Sequence, residues 1–343
     1  MLLFADGFDH YNVITDKWDY PGSSCHIEHG AGAPRTGIGC LQIDSGYFGP
    51  IKTFQGTQHV LVATNWYSNL PANVFQFANF DVVPPWLVPN GGWCLTLGVL
   101  GNGDVAVYNQ ILAFIAKANM PGLVTFNQYN SIAMAARFSL ANGTVDVWVN
   151  GAHVLALTGV GPQIVFGSYA YGQYVNAFEL LGPGGNAFTC YHDDVYLLDL
   201  GTPPNDSFLG ALRIYALPPT DEGVVDFTPL VAPNWSEVNE IPPDGNTSYV
   251  SSPNPGDTDQ YVYPLAGPPP ASSLLFAEHD LDMEVDSGSR TVGSVVNGAV
   301  VEGAQALPAG YHIYGTPYDV NPATGVAFAV ADFPIQAGPQ VTA

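Results

Sequence analysis

Positive charge is what this sequence has least of. Seven lysines and arginines stand against 30 aspartates and glutamates in 343 residues, and only 11% of the chain is charged at all. A surface so poor in cations cannot displace the counterions of a phosphate backbone, so no nucleic-acid partner is expected, nor adhesion to an anionic membrane. The acid excess serves solubility, with cation binding or a salty medium as the sharper alternatives. Cysteine is scarce too. Cys25, Cys40, Cys94 and Cys190 follow no Cys-x-x-Cys or zinc-finger rhythm. They read as reduced core thiols of a protein made in cytoplasm, with a Cys25–Cys40 bridge as the alternative. No stretch approaches the ~18 uninterrupted apolar residues of a membrane span. The opening Met-Leu-Leu-Phe-Ala runs straight into Asp6, so no secretory leader is expected. Walker and dinucleotide glycine loops are missing, as is a Gly-x-Ser-x-Gly elbow.

Glycine (38) and proline (29) are plentiful, while 47% of residues are hydrophobic and 12% aromatic. That mixture suits many short strands joined by tight turns, and the fold class expected is all-β. Strand-like runs at 60–68, 94–100, 104–113, 131–140, 144–149 and 195–200 are divided by Pro-Asn-Gly-Gly, Gly-Asn-Gly-Asp, Ala-Asn-Gly and Val-Asn-Gly turns. In Thr144-Val-Asp-Val-Trp-Val-Asn-Gly151, Val145, Val147 and Val149 fall on one face and Asp146 and Trp148 on the other. Residues 1–210 are therefore expected to form one β-sandwich. Twelve prolines between 217 and 270 forbid a central strand there. Residues 211–271 read as an extended arm, draped over its own domains or over neighbouring subunits, and 272–343 as a small C-terminal β-domain.

Several phrases resemble those of a known family. Leu3-Phe-Ala-Asp-Gly-Phe-Asp-His-Tyr11, the hairpin from Ala136-Arg-Phe138 to Val145-Asp-Val-Trp-Val-Asn-Gly151, and His192-Asp-Asp-Val-Tyr196 are similar to strands of concanavalin A-like (LamG-like) jelly rolls. Leu209-Gly-Ala-Leu-Arg213, Glu240-Ile-Pro-Pro-Asp-Gly-Asn-Thr-Ser-Tyr-Val250 and the ending Phe333-Pro-Ile-Gln-Ala-Gly-Pro-Gln-Val-Thr-Ala343 resemble segments of tailed-bacteriophage virion structural proteins. The resemblance implies a concanavalin A-like jelly-roll sandwich whose last strand pairs beside the first. It also implies a homo-oligomer assembled with other virion proteins, made in the bacterial host cytoplasm and located in the virion. Fibre, tail-tip and head-decoration roles stay open. Jelly rolls of this type often hold Ca²⁺ where first and last strands meet, which makes Asp6, Asp9, Asp193 and Asp194 the candidate ligands.

Two further sites were weighed against plainer readings. Aromatic faces on a sandwich can stack on sugars, so Trp66, Trp86, Trp93 and Trp148 are candidates for binding a host surface glycan, the alternative being core filling or subunit contact. In Glu278-His-Asp-Leu-Asp-Met-Glu-Val-Asp286 the acids at 278, 280, 282, 284 and 286 share one strand face. Laminarinase-like glycosidases use a similar Glu-x-Asp-x-Glu ladder, but the nearest register here starts with Asp280, and the segment lies beyond the expected jelly roll. A solvated acidic face opposite Leu281, Met283 and Val285 is the reading preferred, and no enzyme is expected. Cys25-His-Ile-Glu-His29 lacks the convergent fourth ligand of a zinc site.

Overall fold

The computed structural model describes residues 1–22, 25–29, 37–44, 48–78, 93–109, 112–164, 174–182, 189–231, 233–265, 275–285, 288–300, 305–307 and 309–342. The chain divides into two units. The first comprises Met1–Phe8 and Trp18–Ile214, the second Asp9–Lys17 and Tyr215–Ala343. Nothing in the sequence set Asp9–Lys17 apart from its neighbours.

The first unit carries fourteen named strands: β1 (Leu2–Asp6), β2 (Cys25–His29), β3 (Gly39–Ile43), β4 (Phe48–Thr57), β5 (His59–Ser68), β6 (Asn73–Ala78) and β7 (Trp93–Val99), followed by β8 (Val105–Asn109), β9 (Phe114–Lys117), β10 (Asn130–Arg137), β11 (Thr144–Val149), β12 (Ala152–Thr158), β13 (Val175–Leu181) and β14 (Cys190–Asp199). They form two antiparallel sheets of a jelly-roll sandwich, one ordered β12-β11-β10-β5-β14-β3-β2 with β1 also on β14, the other β4-β13-β6-β7-β8-β9. β1 lies antiparallel to β14, Ala5 facing Tyr196 and Asp6 facing Val195, the pairing of first and last strands expected from the sequence. Asn142-Gly143 turns between β10 and β11, and the alternation in β11 is realised: Val145, Val147 and Val149 are buried while Asp146 and Trp148 are half-exposed.

Ring contacts identify the inner face. Phe178 of β13 packs on Phe4 of β1, and Phe77 of β6 packs on Phe138, just past β10. The sandwich core therefore lies on the Phe75, Phe77 and Phe178 side of the second sheet. Alternation turns Gln76 and Glu179 to its outer face.

No disulfide joins the four cysteines, and Cys40, Cys94 and Cys190 are buried. Register explains why Cys25 and Cys40 do not bridge. Cys25 faces Ile43 and Cys40 faces Glu28, an offset of three strand steps, or roughly 10 Å, past the ~7 Å reach of a disulfide.

The second unit adds β15 (Asp221–Val225), β16 (Thr228–Pro229), β17 (Val250–Ser251), β18 (Asp259–Tyr263), β19 (Ala277–Met283), β20 (Thr291–Val296), β21 (Ala299–Val300), β22 (Gln305–Ala306), β23 (His312–Tyr318) and β24 (Ile335–Val341). One sheet runs β15-β18-β24-β20-β21 with β22 on β20; β19 pairs with β23, and β16 with β17. Val296, Tyr318, Phe328, Ile335 and Ala337 form its core, with Tyr263, Ala277 and Phe333 packed against them. The proline-rich stretch is mostly irregular chain. It is nevertheless tied into this sheet, because β15 and β18 both come from it.

Candidate functional site

The aspartates expected at the junction of first and last strands are placed by that pairing, and their oxygens accept the chain's own donors. Asp6 closes β1, its Oδ1 accepting the Phe8 amide and its Oδ2 the Trp18 indole N–H, both at 2.8 Å. β14 carries a bulge between Asp193 and Tyr196 in its register with β5, and Asp194 sits there at φ 50°, a conformation aspartate tolerates better than most residues. The Asp193 carboxylate accepts the Asp194 amide at 2.7 Å. Asp194 accepts the Ile214 amide at 2.7 Å through Oδ1 and Asn65 Nδ2 at 2.8 Å through Oδ2. The bulge is what turns this buried carboxylate toward residues 205–214. Asn65 also donates to the Leu212 carbonyl, and the Tyr196 hydroxyl to that of Gly210. Asp9 belongs to the second unit. Among the described residues, no three His, Cys, Asp or Glu side chains gather as a metal-ligand group.

The tryptophans divide the same way. Trp66 is fully buried. The indole of Trp148 stacks on Phe208 and on His153, with centroids 4.9 and 4.8 Å apart and planes 23° off in each case. Ring surface that a sugar would need is thus covered by the chain itself. Trp86 and the side chain of Trp93 lie outside the described residues. In the Cys25–His29 strand, His26 reaches Glu28 and Asp44 at 3.6 Å each, while Cys25 Sγ points to the Phe48 carbonyl.

The outer face of the second sheet carries a buried polar row that the sequence reading missed. Register places Glu179 of β13 opposite Gln76 of β6, and Gln76 opposite Thr96 of β7. Gln76 Nε2 donates to Glu179 Oε2 at 2.6 Å, and Thr96 Oγ1 donates to Gln76 Oε1 at 3.2 Å. Glu179 Oε1 has no hydrogen-bond partner among the described residues. Burial pushes this carboxyl well above the usual range, and the Gln76 bond only partly offsets it.

The acidic strand β19 holds the largest departure from expectation. Its acidic face is not solvated. Lys17, with 2% of its side chain exposed, donates to Asp280 Oδ2 at 2.7 Å and lies 2.7 Å from Glu278 Oε1, while His10 Nε2 is 2.8 Å from the same Asp280 oxygen. Glu278 is 7% and Asp280 20% exposed. Burial pushes Glu278 up to about 8, against the pull of Lys17 and reinforced by Asp280. Burial would also raise Asp280, but Lys17 and His10 outweigh it and hold that carboxyl well below its usual range. Asp282 is raised to about 6, by burial first and then by Asp16. Across the ribbon, Gly315 faces Asp280. A Cβ there would lie 2.6 Å from Glu278 Oε1 and 2.8 Å from Asp280 Oδ1, so only glycine leaves room for both carboxyls. The other face also differs from the plain apolar one expected, because His279 is buried on it against Ser294. Asp286 lies outside the described residues. The signal for Lys17 was available: in a chain with seven cations, this one stands directly before Trp18 and three residues after Ile14.

No protein-family model and no curated protein matches the chain. Solved structures similar to it are concanavalin A-like jelly-roll proteins. A lichenase (β-1,3-1,4-glucanase) derived from a mouse hindgut metagenome is 14% identical over 58% of this chain and 100% of its own, at TM-score 0.36. An alginate lyase from a Chlorella virus is 9% identical over 53% and 93%, at 0.35. The metal-free form of lectin I-B4 from Griffonia simplicifolia is 9% identical over 52% and 91%, at 0.31. At such identities and scores, neither activity nor ligand passes from these proteins to this chain.

Proposed function

We propose that this protein is a structural component of a tailed-phage virion that works by subunit assembly and performs no catalysis. One observation carries the reading: each unit ends a sheet in an edge strand with large apolar side chains exposed. At the β9 edge these are Phe114 and, just before it, Leu112. At the β15 edge they are Val224 and Val225. Edge strands of monomers are ordinarily blunted by charge, proline or a covering element, because unpaired N–H and C=O groups invite another chain. Apolar side chains on such an edge suit a subunit contact. Mass spectrometry of purified particles, followed by a density map placing the chain on them, tests the proposal. Presence as a stoichiometric component supports it, and absence from the particles overturns it.

A second reading, recognition of a glycan, has the row Glu179–Gln76–Thr96 on its side. A carboxyl and a side-chain amide side by side are the groups that pair with sugar hydroxyls. Binding on a glycan array that disappears in Glu179→Ala would favour it, and silence of the wild-type chain would end it.

A further inference from the structure

We infer that Lys17 and Glu278 become joined by an intramolecular isopeptide bond, with Asp280 as the base that relays the protons. Lysine is almost never fully buried unless paired, and this one is aimed between two carboxyls on alternate residues of β19. A buried ion pair stabilises little beyond what well-packed apolar side chains of similar size would give. An amine, a carboxylic acid and a carboxylate in contact are also the complete set of parts for a condensation. The 2.7 Å contact between Lys17 Nζ and Glu278 Oε1 holds the nucleophile beside the carboxyl that it would attack. Holding both partners in one place removes the entropy cost that makes such couplings slow between free molecules.

The two carboxyls are differentiated in the sense the reaction needs. Glu278 stays protonated up to about pH 8 and is the electrophile, since a neutral acid accepts a nucleophile where a carboxylate repels it. Asp280 is held ionised by Lys17 and then by His10; as Lys17 gives up its proton, the pull that keeps this carboxyl low is lost with it, and Asp280 can carry the proton as the base. Asp280 takes a proton from the Lys17 ammonium, and the freed amine attacks Glu278 Cδ. The tetrahedral adduct then loses the Glu278 hydroxyl, which leaves as water with a second proton from the nitrogen relayed by Asp280. One C–N bond forms, one C–O bond breaks, and Asp280 ends with the remaining proton. No oxidant or other reagent enters. The missing side chain at Gly315 lets both carboxyls lie against that strand, and the partial exposure of Asp280 gives the water a way out.

Intact-mass spectrometry of the folded full chain tests this. The expected mass is one water below the sequence sum, and a digest should contain the peptide bearing Lys17 linked to the peptide bearing Glu278. Lys17→Met and Glu278→Ala should return to their full sequence masses and migrate more slowly on a denaturing gel than the looped wild type. A cooperatively folded wild-type chain at its full sequence mass overturns the bond, a readout that needs no variant to fold. A linkage mapped to Asp280 overturns the assignment of Glu278 as acceptor.

Discussion

Asp194 shows how one side chain can be legible in kind and missed in role. Its acidity and its place in the closing strand were plain from the sequence, but its φ of 50° and its two donors depend on a bulge that no local pattern announces. Removing the carboxylate strands the part-buried Ile214 amide, which costs about 1–3 kcal/mol when left unpaired, while Asn65 keeps the Leu212 carbonyl as an acceptor. Asp194→Ala should therefore lose about 2 kcal/mol, read as a fall in the urea midpoint, with Asp194→Asn losing less because it keeps one acceptor and tolerates the same backbone. His192 gives a pH signature. Its Nε2 faces the Leu181 carbonyl at 3.0 Å and its Nδ1 the Thr64 hydroxyl at 3.3 Å, and burial lowers its pKa to about 4. The unfolded chain, with histidine near 6.5, binds this proton first as pH falls. The stability from neutral His192 is thus complete above about pH 6.5 and lost on the way down to about 4, amounting to roughly 3 kcal/mol at 1.36 kcal/mol per unit. His279 and the raised carboxyls of the second unit titrate too, so the comparison is with His192→Gln. The stability difference between wild type and variant should shrink across that window, and a constant difference would refute it.

Among the elements, those set by alternation and Asn-Gly turns were readable. β11 is the clearest case, because a half-buried strand writes its period into five consecutive residues. The segment after β14 was not readable, since what positions it is long-range. Phe208 stacks on Trp148, Gly210 and Leu212 offer carbonyls to Tyr196 and Asn65, and Ile214 donates to Asp194. Phe208→Ala should uncover the indole, shifting its emission to the red and costing about 1 kcal/mol from the lost ring pair; unchanged emission would mean that Phe208 does not cover Trp148. The β19 face was misread for a related reason. Period two assigned its acids to one face correctly, but whether that face meets water depends on Lys17, some 260 positions earlier. At the sheet edges, Phe114→Lys on β9 should weaken self-association without lowering the unfolding midpoint by more than about 0.5 kcal/mol, the usual range for an exposed site. An unaltered oligomer distribution would remove β9 from the contact.

For the molecule as a whole, the charge balance has one structural consequence worth following. With 30 acids and seven cations, most carboxylates cannot be paired by lysine or arginine. Asp6 and Asp194 are served instead by backbone amides, an indole and a side-chain amide, while Glu278 and Asp280 share the one buried Lys17. That economy accounts for Asp6, Asp193 and Asp194, which accept donors of their own chain. It leaves the exposed apolar edges as the surfaces with unmet physical demand. Light scattering coupled to size exclusion tests this most directly. The full chain at micromolar concentration should elute with a mass two or more whole times 36.4 kDa. A single species at 36.4 kDa across the accessible concentration range would contradict the assembly account.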